Sequence, residues 1–382
     1  MVYFEMEVLF LEKMASSTAI HSRLPPLPAL RDFIHMYRLR AKKILSQNYL
    51  MDMNLTRKIA RQARFDSNTH VIEVGPGPGG ITRAILDEGC ARLDVVEIDN
   101  RFIPPLEHLA EAANGLLHIH QGDVLKTDLS EIFKDGGIVQ QKEWFDSPPN
   151  SHIIGNLPFN IASPLIIKFL REMSREEGAW KFGRTPLTLT FQYEVAKRLC
   201  GEIDSDFRSR LSIVTQYISE PKLLFVIPGV CFVPKPQIDV GVVKFIPRAE
   251  PLIPCDFAVV EKVARQTFAF RQKYVIKCIK TLYPEEIANE MAHDLLKNCR
   301  IDPTQRPFKL GIDEIGSMCV YYEKQCRQMP GLFPYEISRK NQTIEMLANE
   351  LNALPPPFKK TKGGIPHTNF DEGVSLSKLS NL

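Results

Sequence analysis

The stretch HVIEVGPGPGG, residues 70–80, sets a short apolar run directly ahead of a glycine-rich turn. Three similar runs follow, RLDVVEID, LLHIHQGD and SHIIGN, each ending in Asp or Asn. The segments between them, ITRAILDEG, RFIPPLEHLAEAA and LSEIFKDGG, have helical spacing. Strands alternating with helices predict parallel βαβ units and a sheet buried on both faces, an α/β fold. Further on come PLTLTFQ, a helix from about Tyr193, and the β-rich runs KLLFVI and VGVVKF with no helix between them. The last two are expected as an antiparallel pair at the sheet edge. Beyond about Pro254 the strand signal ends, and FAVVEKVARQTFAF, KYVIKCIKTLY, PEEIANEMAHDLLKN and DEIGSMCVYYEKQCRQM predict a smaller, C-terminal all-helical domain.

A chain of 382 residues with 44% hydrophobic and 24% charged residues is ordinary for a globular protein, which excludes wholesale disorder. It can bury a core large enough to need neither disulfides nor a structural metal. Its net charge of +3 argues against a surface coated in positive charge, yet leaves room for a local basic patch. The 8 cysteines include no C-x-x-C pair and no Cys/His cluster with ligand spacing. Free thiols in a reducing compartment are therefore expected, and no metal site. No run approaches the roughly 18 apolar residues of a membrane span. The opening MVYFEMEVLFLEKM is broken by Glu5, Glu7 and Glu12 and makes a poor signal peptide.

Four features sit where strands end. Gly75 and Gly77, with Gly79 and Gly80, let backbone pass close under a ligand, although tight βα turns also use glycine for structure alone. No Gly-Lys-Ser/Thr follows, so a nucleoside triphosphate is not expected. Glu97 closes the next run some twenty residues later, where an acid in a dinucleotide-type fold takes both ribose hydroxyls. Asp123 stands after the third run, placed to meet the exocyclic amine of an adenine. All three face the carboxyl edge of the sheet, where open α/β folds bind ligands, and together they point to an adenosine-containing cofactor. The fourth is Asn156-Leu157-Pro158-Phe159. An exocyclic amine of a base is a poor nucleophile because its lone pair is delocalised into the ring. An Asn side-chain oxygen and a proline-rigidified carbonyl can accept both its N–H hydrogens and aim that lone pair at an electrophile. The Phe ring adds a stacking face, worth about 1–3 kcal/mol per base.

Taken in order, SQNYLMD (46–52), EVGPGPGG, VVEID, QGDVL, IGNLPFNIASPL, FQYEVAKRL and FVIPGVCFVPKPQIDVGVVKF resemble the successive motifs of the rRNA adenine N6-dimethyltransferases. These are Rossmann-like class I S-adenosylmethionine-dependent methyltransferases, and the resemblance runs from about Arg23 to Leu332. RLPPLPALRDFI, SPPNSHIIGNLPF and IDPTQRP are similar to the mitochondrial branch. The resemblance implies that Gln47, Asn48 and Leu50 close over S-adenosyl-L-methionine, that Gly75 and Gly77 underlie its methionine part, and that Glu97 binds the ribose. It implies that Asp123 and Val124 frame the adenine, that Asn156, Leu157, Pro158 and Phe159 hold the target base, and that Asn156 also contacts the cofactor. Phe232 in CFVPKP is implied as a second stacking wall. Ile98 departs from the polar residue usual in that branch, and only its backbone is implied to matter. Tyr49 replaces a common Phe and keeps the ring.

The implied domains are an N-terminal extension or targeting segment over 1–28, a methyltransferase domain over 29–250, a helical RNA-docking domain over 251–350 and a disordered tail over 351–382. The resemblance starts just after Met14, so residues 1–13 are expected to be a translated extension or to come from an upstream start. Arg23, Arg31, Arg38 and Arg40, with Asp32 as the only acid, are compatible with a mitochondrial import signal. A helix is expected from about Ala29 to Ser46. Its basic residues, with Arg57, Lys58, Arg61 and Arg64, form one cluster; Arg265, Arg271, Lys273, Lys277 and Lys280 form another, interleaved with Phe268, Phe270 and Tyr274. Such runs serve either as solvated faces or as phosphate contacts. Lys273, Lys277 and Lys280 are spaced for one helix face.

The implied activity is N6,N6-dimethylation of two adjacent adenines in a small-subunit rRNA loop of the mitochondrial matrix, supporting small-subunit assembly. The target is splayed from its stack. The activated methyl group needs neither a metal nor a covalent enzyme intermediate. The implied enzyme is a monomer whose partners are the rRNA, the assembling small subunit and, as this branch allows, the mitochondrial transcription machinery. Two alternatives stay open: a DNA adenine methyltransferase, since Asn-Pro-Pro-Phe-like motifs serve both nucleic acids, and a non-catalytic assembly or transcription accessory factor.

Overall fold

The computed structural model describes residues 24–27, 48–337, 346–347 and 354–355. The expected helix over 29–46, the start at Met14, Gln47 and nearly all of the two terminal segments lie outside the described residues. The chain divides into two compact units. The first runs to Glu202 and takes up the chain again at Ile218–Pro251; the second comprises Ile203–Tyr217 and the chain from Leu252. Residues 203–217, which the sequence places within 29–250, thus group with the helical unit.

In the first unit β1 is Tyr49–Leu50, α1 Met53–Ala63, β2 His70–Val74, α2 Gly80–Glu88, β3 Arg92–Glu97, α3 Ile103–Ala112 and β4 Leu117–Gln121. Then follow α4 Leu129–Gly136, β5 Ser151–Gly155, α5 Phe159–Arg175, β6 Leu187–Gln192 and α6 Tyr193–Leu199, and after the excursion β7 Ser219–Ile227, β8 Phe232–Val233 and β9 Val240–Pro247. Seven strands form one sheet in the order β4-β3-β2-β5-β6-β9-β7. The first five are parallel; β9 runs antiparallel to β6, and β7 antiparallel to β9 at the edge, as the two helix-free runs predict. Every residue of β2 and β5 is buried, as a sheet covered on both faces requires. Ile59 and Ala63 of α1, Ile81 and Ile85 of α2 and Leu106 and Leu109 of α3 join Val71, Leu93 and Val95 in the core on one face.

The strands also carry a buried polar knot. Asp94, fully buried in β3, receives His70 Nε2 at 2.5 Å, His120 Nε2 at 2.6 Å and Arg92 Nε at 2.7 Å. Burial alone would push its carboxyl up, but these hydrogen bonds outweigh burial and hold it well below the usual carboxylate range. Order reverses where β2 has β3 on one side and β5 on the other, which makes the carboxyl ends of these strands the crevice of the sheet.

The second unit is helical throughout its described residues: α7 Arg210–Gln216, α8 Phe257–Thr267, α9 Val275–Ile279, α10 Glu285–Asn298 and α11 Ile312–Gln328. Asp256 caps α8 through Ala258 N, and Glu285 and Glu286 occupy the first turn of α10, where acids complement the helix dipole. Tyr283 and Tyr322 meet edge to face at 5.9 Å, and Tyr283 donates to Gln325 Oε1 at 2.6 Å. The expected lysine face does not form. Helix α9 spans only Val275–Ile279, Lys273 closes a turn through Phe270 O at 2.7 Å, and Lys280 falls in a following 3-10 turn. Charge spacing alone cannot mark helix ends, and the first N–H groups here go to the neighbouring loop, Val275 N to Gln305 O and Ile276 N to Pro303 O.

Candidate active site

Local chemistry brings the strand-end features to one cavity. After Val74 the backbone turns sharply, and Gly77 takes φ +53°, in the left-handed region that side chains disfavour. A Cβ there would also press on the Tyr49 ring at 3.2 Å, so conformation and space both favour glycine. Gly77 N donates to Glu97 Oε2 at 3.0 Å, while Asp99 N donates to Oε1 at 2.8 Å. The strand-end acid and the glycine turn are therefore one hydrogen-bonded piece. Glu97 is buried, which raises its pKa against the opposing pull of those backbone donors. Each carboxylate oxygen keeps a lone pair for a ligand hydroxyl.

Asp123 holds the next turn. Its Oδ1 accepts from Leu125 N at 3.0 Å, and its carbonyl accepts from Lys126 N at 2.8 Å and Thr127 N at 3.0 Å. Lys168, on α5, locks the turn from outside by donating to Val124 O at 3.1 Å and Thr127 O at 3.0 Å. Asn48 and Leu50 line the same cavity from the β1 side, and the Ile98 side chain, 58% exposed, stands at its rim. Strand β1 is held in place by antiparallel pairing, Tyr49 with Val233 and Leu50 with Phe232.

The Asn156 side chain is gripped from both ends. Thr190 Oγ1 donates to its Oδ1 at 2.8 Å, and its Nδ2 donates to Asn48 O at 3.1 Å. The same Thr190 oxygen accepts from Leu157 N at 3.2 Å. Pro158 then caps α5, which opens at Phe159, with Ile161 N and Ala162 N both reaching Pro158 O at 3.1 Å.

Asn48, Leu50, Gly75, Gly77, Glu97, Ile98, Asp123, Val124, Asn156 and Pro158 thus line one cavity. Leu157 is buried beneath it, and the Phe159 ring is half-buried against the sheet core. The expectation for Phe232 needs correction. Paired in β8 with Leu50, it is 2% exposed and part of the core, so its ring has no free face for a base. Arg271 also differs from the reading of it as a phosphate contact. Its Nε and Nη2 donate to Arg208 O at 3.1 Å and Ser205 O at 2.9 Å, and its guanidinium lies 4.9 Å from the Phe308 ring centre. That is a packing role. Lys273 and Lys277 are exposed.

Sequence reasoning missed four residues. Thr190 looks like a core position in LTLTFQ, and Lys168 is one cation in a long helix; neither advertises a partner. Arg83 binds Pro78 O at 2.9 Å and Gly79 O at 2.8 Å, and reaches Pro25 O at 2.9 Å, stitching the segment before the fold to the glycine turn. Glu73 had a signal, an acid inside an otherwise apolar strand. It is 1% exposed and bonded to Thr82 Oγ1 at 2.6 Å, and burial pushes its carboxyl up to about 8. At neutral pH it is mostly protonated.

A family model described as ribosomal RNA adenine dimethylase matches residues 38–311. A Caenorhabditis elegans relative named dimethyladenosine transferase 1, mitochondrial, is 62% identical over 338 residues, covering 88% of this chain and 92% of its own. Its human counterpart of the same name is 49% identical over 337 residues, covering 87% and 96%. The fold is also similar to a crystal structure of a dimethyladenosine transferase from Plasmodium falciparum, with TM-score 0.56 and 20% identity over 72% of this chain and 97% of that one.

Proposed function

From membership of the ribosomal RNA adenine dimethylase family, to which the chain belongs, we propose that it dimethylates N6 of two adjacent adenines in a loop of mitochondrial small-subunit rRNA. The mitochondrial names of its relatives support the location. The fold of the first unit is the Rossmann-like class I methyltransferase fold, and the second unit is helical. Residues 29–250 are read as the methyltransferase domain, less the 203–217 segment, and the helical unit as the RNA-docking part. A monomeric state and contact with the transcription machinery follow from the branch that the sequence resembles.

The lining suits S-adenosylmethionine. The turn at Gly77 carries no Cβ, so a ligand there meets backbone directly. Glu97 offers its remaining lone pairs to ribose hydroxyls, and the Asp123–Val124 turn edges the adenine with the Ile98 backbone near it. Asn48 and Leu50 close the remaining wall. The cofactor supplies a methyl group already activated on a sulfonium. This chain's residues then have one task, to present a weak nucleophile in the right geometry.

The single observation carrying the reading is the Asn156 grip. With one Oδ1 lone pair taken by Thr190, the other is left to accept an N6–H of adenine, at the edge of the cofactor cavity. The Leu157 carbonyl, stiffened by Pro158, is the second acceptor, and Phe159 offers the exposed part of its ring for stacking. The test is Asn156→Ala in a methyl-transfer assay on the small-subunit rRNA hairpin, with mass spectrometry of the adenines. Methylation should collapse while RNA binding survives. Undiminished methylation would sink the mechanism. Duplex DNA that competed as a better methyl acceptor would instead favour the DNA reading.

A further inference from the structure

The helical unit has a cleft of its own, about 440 Å³ in volume and lined by Asp302, Thr304, Gln305, Arg306, Phe308 and Lys309. Arg210, Arg265 and Arg327 each pair with a glutamate. Arg306 and Lys309 are exposed and have no ion-pair partner among the described residues. The same holds for Lys273 and Lys277, whose segment is bound to the cleft loop through Val275 N to Gln305 O at 2.8 Å and Ile276 N to Pro303 O at 3.2 Å. The one acid in the lining, Asp302, has its Oδ1 committed to Thr304 N and Thr304 Oγ1, each at 2.8 Å.

Aromatic surface accompanies the charge. Phe308 lines the cleft with the Arg271 guanidinium 4.9 Å from its ring centre, and that guanidinium is held by two carbonyls. Phe270 and Tyr274, in the segment bonded to the cleft loop, are 52% and 51% exposed. Large aromatics left in water beside unneutralised cations fit a ligand that has both π faces and anionic groups. A single nucleic-acid strand has both at every residue, whereas the acidic residues of a peptide bring charge without a π face.

We propose that this cleft binds an unpaired nucleotide of the RNA substrate: Arg306 and Lys309 hold its flanking phosphates, and Phe308 offers its base a stacking face. The proposal deepens the rRNA reading and rests on it for the identity of the ligand. Gln305, half-buried in the lining, supplies an amide for the base edge.

The test measures binding of the full chain to a 12-nucleotide single-stranded RNA across a salt series, for wild type, for Arg306→Ala/Lys309→Ala and for Lys324→Ala, an exposed cation elsewhere in the unit. Losing two phosphate contacts should lower the slope of log K against log salt by about 1.4, at about 0.7 per contact for single strands. Affinity should fall about tenfold, and Lys324→Ala should match wild type. An unchanged slope in the double variant overturns the proposal. So does an equal loss in Lys324→Ala, or a glutamate-rich peptide that competes as well as RNA. Methyl transfer by the wild type is read in parallel. A slope change in a protein that methylates no rRNA adenine would refute the activity and keep the cleft, while methylation with an unchanged slope would do the reverse.

Discussion

Replacing Thr190 with Val probes the site without touching ligand or fold. Thr190 is fully buried in β6, and Val keeps its β-branch and nearly its volume. What disappears is a bridge. The Leu157 N–H loses its acceptor at 3.2 Å, and the Asn156 carboxamide loses the donor at 2.8 Å that fixes its oxygen. Leu157 is 3% exposed, so water cannot substitute, and a buried amide without a partner costs about 1–3 kcal/mol. At about 1.4 kcal/mol per decade, a penalty of that size expressed in the geometry of the transfer lowers kcat roughly 10- to 100-fold. The glycine turn and Glu97 keep their own hydrogen bonds, so KM for S-adenosylmethionine should change less than kcat. Single-turnover transfer to the rRNA hairpin measures the first quantity, and a cofactor titration the second. Thr190→Ser restores the hydroxyl and should recover most of kcat. Wild-type turnover in the Val variant, or a Ser variant as slow as Val, would refute the idea that this hydroxyl orients Asn156.

Three further outcomes follow from the same geometry. Lys168→Met frees the Val124 and Thr127 carbonyls, and hydrogen bonds from a charged donor are worth about 1.5–3 kcal/mol when fully formed. Because the side chain is partly solvent-reachable, KM for the cofactor should rise only about tenfold with kcat little changed; a fall in kcat alone would contradict the positioning role. Glu73 retains a proton up to about pH 8 because it is buried, whereas in the unfolded chain it releases that proton near 4.5. Its contribution to stability is therefore full below about 4.5 and is lost as pH rises to about 8, by up to about 1.4 kcal/mol per unit. Denaturant melts at pH 5, 6, 7 and 8 should show that decline in wild type but a flatter profile in Glu73→Gln, and parallel profiles would disprove it. Arg271→Ala should destabilise the helical unit by about 1–3 kcal/mol through the two carbonyls and the ring it leaves behind. The salt slope of RNA binding should not change; a slope lowered by a full contact would return Arg271 to the phosphate.

What the sequence disclosed and what it hid divide along one physical line. Strand periodicity, the glycine turn and acids at strand ends are local, so HVIEVGPGPGG, VVEID and QGDV announce the parallel sheet and most of the cavity wall. The edge hairpin of β7 and β9 is legible for the same reason: two β-rich runs without a crossover helix can only pair antiparallel. Thr190 lies 34 residues from Asn156, and Lys168 lies 44 from Val124. Their roles come from partners that only the sheet order brings near. Phe232 shows the opposite error. Its surroundings CFVPKP suggest an open stacking ring, but pairing with Leu50, far back in the chain, buries it. Arg271 reads as a free charge in the sequence because a cation announces its charge and not the carbonyls that bind it, here 63 and 66 residues away. Residues whose chemistry is carried by type alone were readable. Residues that work by holding another residue were not, because orienting Asn156 demands only a hydroxyl in a core position, and nothing in the local pattern separates such a threonine from one that merely fills space.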